Sequence, residues 1–163
     1  DLILDSDITV SNNLTMNGGN IDPQLNTLIL GSGPGSPGSL THASGTVLGR
    51  MMRWITSTGT PYVFPVGNIG NHRPTILTFS DLSTGSLTIG FVEGNPGSAG
   101  LPLGEGTVGI TDQYTEGYWD MLPQNGLVTN DFNLQLTAET DHPFQPANGS
   151  GQQLRRFQCG FQS

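Results

Sequence analysis

Lysine is absent from this chain. Its five basic residues are all arginine, set against 13 acidic ones, for a formal net charge of −8 and a pI near 4.4. Nucleic acid asks for clustered Lys and Arg to neutralise phosphates. An anionic membrane surface asks for the same. Neither partner fits this charge balance. Charge of either sign is scarce, at 11% of residues against the usual ~25%, so solubility must come from hydroxyls and amides. Cys159 is the single cysteine, which excludes an internal disulfide. No apolar run reaches the ~18 residues of a membrane-crossing helix. Ala, Leu, Glu and Lys are too sparse for a helical domain.

The chain also lacks an initiator Met and a leader; it opens on Asp1-Leu-Ile-Leu4, already strand-like. A processed end, or a boundary within something longer, is the expectation.

Gly (24) and Pro (11) fill part of what is missing, together with Ser, Thr and Asn. That composition suits many short strands and many turns. Tyr62–Glu93 reads most clearly. Tyr62–Phe64, Thr75–Phe79 and Leu87–Val92 alternate apolar with polar or small residues at period two, the mark of half-buried antiparallel strands. Asn68-Ile-Gly-Asn71 and Asp81-Leu-Ser-Thr-Gly85 supply turns. Val47–Ile55 reads as one strand, with Arg50, Met52 and Trp54 on one face and Met51, Arg53 and Ile55 on the other. Gly117–Met121 is a strand carrying Tyr118 or Trp119 as an anchor. Asp131–Ala138 alternates cleanly, with Phe132, Leu134, Leu136 and Ala138 facing in. Leu101–Gly109 reads as loop ending in a short strand.

Residues 1–49 differ in texture. Apolar dyads recur as Leu2/Leu4, Ile8/Val10, Leu14/Met16 and Leu28/Leu30, separated by Asn- and Gly-rich corners. Triplet strands with such corners suit a parallel β-solenoid; a meander of hairpins is the alternative. Two or three rungs are too few to cover their own faces, so further rungs are expected ahead of residue 1. The resulting expectation is an all-β chain. Residues 1–46 form solenoid-like rungs and a Gly/Pro/Ser linker at Gly31–Gly38, and residues 47–138 an antiparallel β-sandwich. Residues 139–163 make a polar tail with Leu154–Phe161 as a candidate last strand.

Chemistry is thin. Asp1, Asp5 and Asp7 offer oxygens that calcium favours, but without EF-hand or β-roll spacing; solvated corner residues are the simpler reading. Asp112, Glu116 and Asp120 flank Tyr114, Tyr118 and Trp119. Two carboxylates with aromatic platforms suggest a glycosidase, yet spacing of four shares a face only on a helix, and this segment reads as strand. A sugar-binding patch of Tyr114, Trp119 and Asp120 is the ligand-site candidate. His42, His72 and His142 lie far apart, without ligand spacing, so neither a metal nor a cofactor is expected. Arg50, Arg53 and Arg73 bracket one strand region; pairing with Asp81 or Glu93 is the structural reading, an anionic-ligand patch the functional one. Asn13-Leu-Thr15 and Asn148-Gly-Ser150 match glycosylation sequons at a frequency that chance supplies in so Asn-rich a chain.

Val47-Leu-Gly-Arg50, Tyr62-Val-Phe-Pro-Val-Gly67, Arg73-Pro-Thr-Ile-Leu-Thr-Phe79 and Gly85-Ser-Leu-Thr-Ile89, preceded by Leu14-Thr-Met-Asn-Gly-Gly19 and Leu28-Ile-Leu-Gly31, resemble a module of large secreted and cell-surface proteins of Bacteroidota. The resemblance covers roughly residues 8–138, and Phe64-Pro-Val-Gly67 is its most specific element. It implies type IX export, display at the cell surface as adhesin-like or matrix components, and no catalytic residues. The C-terminal sorting domain usual in such proteins has no match here. The functional expectation is therefore a non-catalytic structural or adhesive module, a fragment of a larger surface protein, whose partners are neighbouring modules, other surface proteins or glycans. The alternative is a carbohydrate-binding module of a secreted enzyme, which requires Trp54 or Trp119 exposed on a flat or grooved face.

Overall fold

The structure is a computed structural model and describes residues 1–97, 101–105, 108–111 and 114–137. Among them it has fifteen strands and no helix. Ala138 and the candidate strand at Leu154–Phe161 lie outside the described residues.

The strands are β1 (Leu2–Ile3), β2 (Ile8–Val10), β3 (Asn13–Asp22), β4 (Thr27–Leu30), β5 (Ser39–Val47), β6 (Arg50–Ile55), β7 (Tyr62–Phe64), β8 (Gly67–Asn68), β9 (Asn71–His72), β10 (Thr75–Phe79), β11 (Gly85–Glu93), β12 (Leu103–Glu105), β13 (Val108–Ile110), β14 (Gly117–Gln124) and β15 (Phe132–Leu136). They form five open sheets, ordered β1-β3-β5, β14-β11-β6-β4-β2, β15-β10-β7, β12-β13 and β8-β9. The first six strands alternate between the first two sheets, and every pairing among these six is parallel. Leu2 lies beside Ile21, and Ile21 beside Val47. Ile8 lies beside Leu28, and Leu28 beside Met51. From β6 onward the pairing turns antiparallel: β6 with β11, β11 with β14, β7 and β15 with β10.

Two local readings of the sequence change. Val47–Ile55 is not one strand. The chain bends at Leu48-Gly49, where Leu48 N donates to Ile21 O at 2.8 Å, and passes from one sheet to the other. Gly31–Gly38 is a packed turn rather than a loose linker. Gly31 N donates to Val10 O and Ser39 N to Asn12 O, at 2.9 and 2.7 Å. Gly31 itself has φ 90°, and a Cβ there would stand 2.4 Å from the Pro37 carbonyl, so only glycine fits the turn.

The core is one apolar cluster joining Leu28, Leu30 and Met51 with Phe64, Phe79 and Leu87. Alternation in β6, β7 and β10 follows the sequence pattern, every second side chain being buried. In β11 it does not: Gly85 through Phe91 are all buried. The outward Ser86, Thr88 and Gly90 are small and flanked by larger side chains: Trp54 and Gln124 beside Ser86, Met52 and Leu122 beside Thr88, and Asp120 and Arg50 beside Gly90.

Asp81 fastens the far side. Its Oδ1 accepts from Asn130 N and Asp131 N at 3.0 and 2.9 Å, and Thr129 Oγ1 donates to Asp81 O at 2.7 Å. The two backbone N–H groups hold the Asp81 carboxyl below its ordinary range. A depressed carboxylate adds stability that is complete above its unfolded value and is lost as the pH falls through the folded one. We therefore expect Asp81→Asn to flatten the acid limb of the stability curve below about pH 4, as read by urea midpoints. An unchanged limb would assign the acid sensitivity elsewhere.

Candidate functional site

The densest polar and aromatic grouping among the described residues forms around Arg73. β9 ends immediately before it and Pro74 leads from it into β10, so its backbone is fixed from both sides. β11 and β14 bring Phe91 and Trp119 into register as neighbours. Their rings meet edge to face at 5.2 Å and 71°. Trp119 Nε1 donates to Arg73 O at 2.9 Å. Tyr114 stacks on Trp119 at 6.4 Å and 25°. The Arg73 guanidinium lies 5.8 Å from both the Phe91 and the Tyr114 ring, within cation–π range.

Glu116 closes the grouping. Its Oε2 accepts from Tyr114 OH at 2.7 Å and from Arg73 Nη2 at 3.4 Å. Burial, reinforced by this carboxylate, pushes the Tyr114 phenol above its usual range. Arg73 is 3% exposed, and its Nε and Nη1 have no hydrogen-bond partner. The result is a buried cation between two aromatic faces, with the Glu116 carboxylate beside it.

Of the residues expected to bind ligand, Tyr114 and Trp119 come together and Asp120 does not. Successive strand residues point to opposite faces, so Asp120 sits across the sheet from Trp119. It pairs there with Arg50 at 3.2 Å, both side chains being about half exposed, a contact worth about 0–1 kcal/mol. Trp119 packs inward rather than forming a platform; Trp54, half-buried, and Tyr118, 40% exposed, are the aromatics on the outer face. Asp112 lies outside the described residues. Asp81 and Glu93 are not the arginines' partners: Asp81 holds the 129–131 segment, and Glu93 accepts from Asn68 Nδ2. Phe91 joins the grouping through the β11–β14 register, and Arg73 and Glu116 through contacts from outside those strands; sequence spacing leaves all three open.

Arg53 is the second buried cation. Nη1 donates to Val63 O at 2.8 Å, and the guanidinium lies 5.4 and 5.8 Å from the Tyr62 and Phe64 rings. Burial pulls its pKa down to about 10. Burying a charge without a counter-ion is costly, and an apolar residue of similar length often replaces one without loss. Arg53→Met is thus expected to unfold at the wild-type urea midpoint or above it. Arg53→Ala, which leaves a void, should lose about 2–4 kcal/mol. A large loss in Arg53→Met would show that the cation–π contacts outweigh burial.

His42 and His72, distant in sequence, stack at 5.5 Å and 12°. His42 Nε2 contacts Gly45 O, and His72 Nδ1 contacts Thr46 Oγ1, each at 2.9 Å. Asp1 and Asp7 serve as corner acceptors: Asp1 Oδ1 takes Asn20 N at 3.1 Å, and Asp7 Oδ1 takes Thr27 N at 2.8 Å. Among the described residues no three His, Cys, Asp or Glu side chains gather as a metal site requires. Comparisons with protein-family models, with curated proteins and with solved structures return no match.

Proposed function

We propose that this chain is a non-catalytic structural and adhesive segment of a larger bacterial cell-surface or secreted protein, acting outside the cell. The observation that carries the reading is the double parallel ladder of residues 2–55. We read it as successive coils of a β-solenoid, and the antiparallel strands of residues 62–136 as a sandwich-like cap against its last coil. Each added coil lengthens such a stack by about 4.8 Å, the spacing between paired strands, and contacts only its neighbours. That economy suits a spacer that must be long and stiff, with loops left to present polar and aromatic groups to partners. Its partners are neighbouring modules of the same polypeptide, other surface proteins or glycans. The intact mass and peptide coverage of the protein in its native source test this. A mass well above 17.2 kDa with peptides ahead of Asp1, released by protease treatment of whole cells, is expected; a 17.2 kDa intracellular species would overturn it.

A glycan-binding module is the second reading, favoured by one observation. Trp54, Met52, Tyr118 and Leu122 share the outer face of the five-stranded sheet, an apolar and aromatic surface on which sugar rings stack. A tryptophan fluorescence shift on adding a polysaccharide, absent in Trp54→Ala, is its signature. No shift across a broad glycan panel rejects it.

A further inference from the structure

Among the described strands, β1 and β2 stand at the ends of their sheets, each paired on one side only. The opposite end of the same strand set is covered. β6 passes on to β11, and Val47 at the end of β5 bridges Val66 and donates its N–H to Pro65 O at 2.8 Å. Burial follows this polarity along each side-chain column. In the column Ile8–Leu28–Met51, exposure falls from 41% to 2% to 0%; in the column Leu2–Ile21–Val47 it starts at 58% and ends at 0%. The first members are exposed because no described strand lies beyond them, not because their residue type differs.

A third column carries polar information. Thr46 N donates to Asn20 Oδ1 at 3.2 Å, and Asn20 N donates to Asp1 Oδ1 at 3.1 Å. At this corner each side-chain oxygen accepts an N–H from the next strand along the ladder. Asp1 is the first acceptor of the series.

We infer that the β1/β2 edge is a docking surface for one more coil of the same kind, placed ahead of Asp1 in the polypeptide. That coil pairs parallel to β1 and β2. It sets aliphatic side chains beside Leu2 and Ile8, and an Asn or Asp oxygen at the corner to accept the Asp1 N–H. The inference rests on the coil reading above, and on the continuity of three columns through an interface the chain already builds twice. A second copy of the chain does not meet the same requirements. Among the described residues, the bare, parallel-paired edges it offers together are its own β1 and β2, and a two-fold axis would set those antiparallel, which breaks the corner series.

The test is a tandem duplication of residues 1–19 ahead of Asp1 in the full chain. Asp1 then occupies the place that Asn20 holds relative to Asp1 now. The expected product is a monomer whose melting temperature rises by about 5 °C and whose Leu2, Ile3, Ile8 and Thr9 amides exchange at least about tenfold more slowly. The same duplication with Leu2→Asp and Ile8→Asp in the added copy should lose both effects. Unchanged melting and unchanged exchange would overturn the inference. So would concentration-dependent dimers of the unextended chain with the β1 and β2 amides protected, since the occupant would then be a second copy. Failure of the coil reading itself is distinguishable: the amides of Leu14–Met16 in the β3–β5 ladder would exchange rapidly even in the unextended chain.

Discussion

Phe79→Ala is expected to lower the free energy of unfolding by about 3–5 kcal/mol, the range for deleting a fully buried aromatic ring. Phe79 is 0% exposed. It closes β10, and its ring contacts Tyr62 from β7 edge-on and Phe132 from β15, both at 6.0 Å. One side chain therefore ties all three strands of that sheet to the core. The void cannot close without moving β7 or β15, because backbone ladders hold both. A urea titration reads the loss as a shift in midpoint at constant slope. A cost below about 1 kcal/mol would mean that the sheet collapses freely around the gap. A change in slope would mean that β15 detaches on its own.

Gly45→Ala is the second large effect, about 2–6 kcal/mol, built from two separate penalties. Gly45 has φ 102°, where a side chain costs of order 1–3 kcal/mol. A Cβ there would also lie 2.2 Å from Gly19 O, so β5 must pull away from β3 at a cost of about 1–3 kcal/mol more. The region is already irregular, with the register shifting between Met16 and Asn20. Gly59→Ala is the matched control. Gly59 has φ 72° and open space around its missing Cβ, so it carries the strain without the collision. Equal losses in the two variants would show that close approach between β3 and β5 contributes nothing.

These positions also mark how far the sequence could be read. Period-two alternation located β7, β10 and β15, because one face of each meets the core and the other does not. The all-β class followed from composition. The bend at Leu48-Gly49 escaped because apolar residues stand on both sides of it, and alternation alone cannot tell one strand from two that change sheets. β11 escaped its half-exposed reading because burial of Ser86 and Thr88 comes from larger neighbours on adjacent strands. The Arg73 grouping was half legible. Tyr114 and Trp119 stood out as aromatics, but Asp120 was drawn in by adjacency when strand geometry sends it to the other face. Phe91 reaches Trp119 through the β11–β14 register, and the two strands are too far apart along the chain, with β12 and β13 between them, for spacing alone to fix that register.

Partners in the ladders differ greatly in how far apart they lie along the chain. Ile8 meets Leu28, whereas Leu77 of β10 meets Leu134 of β15. Closing the longer loop costs more chain entropy before any contact repays it. The parallel ladders are thus positioned to form early, and β15 to arrive last. Folding speed is then set by the return of one distant strand. Pulse-labelled hydrogen exchange should find the β3–β5 amides protected while those of Phe132–Leu136 still exchange; simultaneous protection would contradict this order.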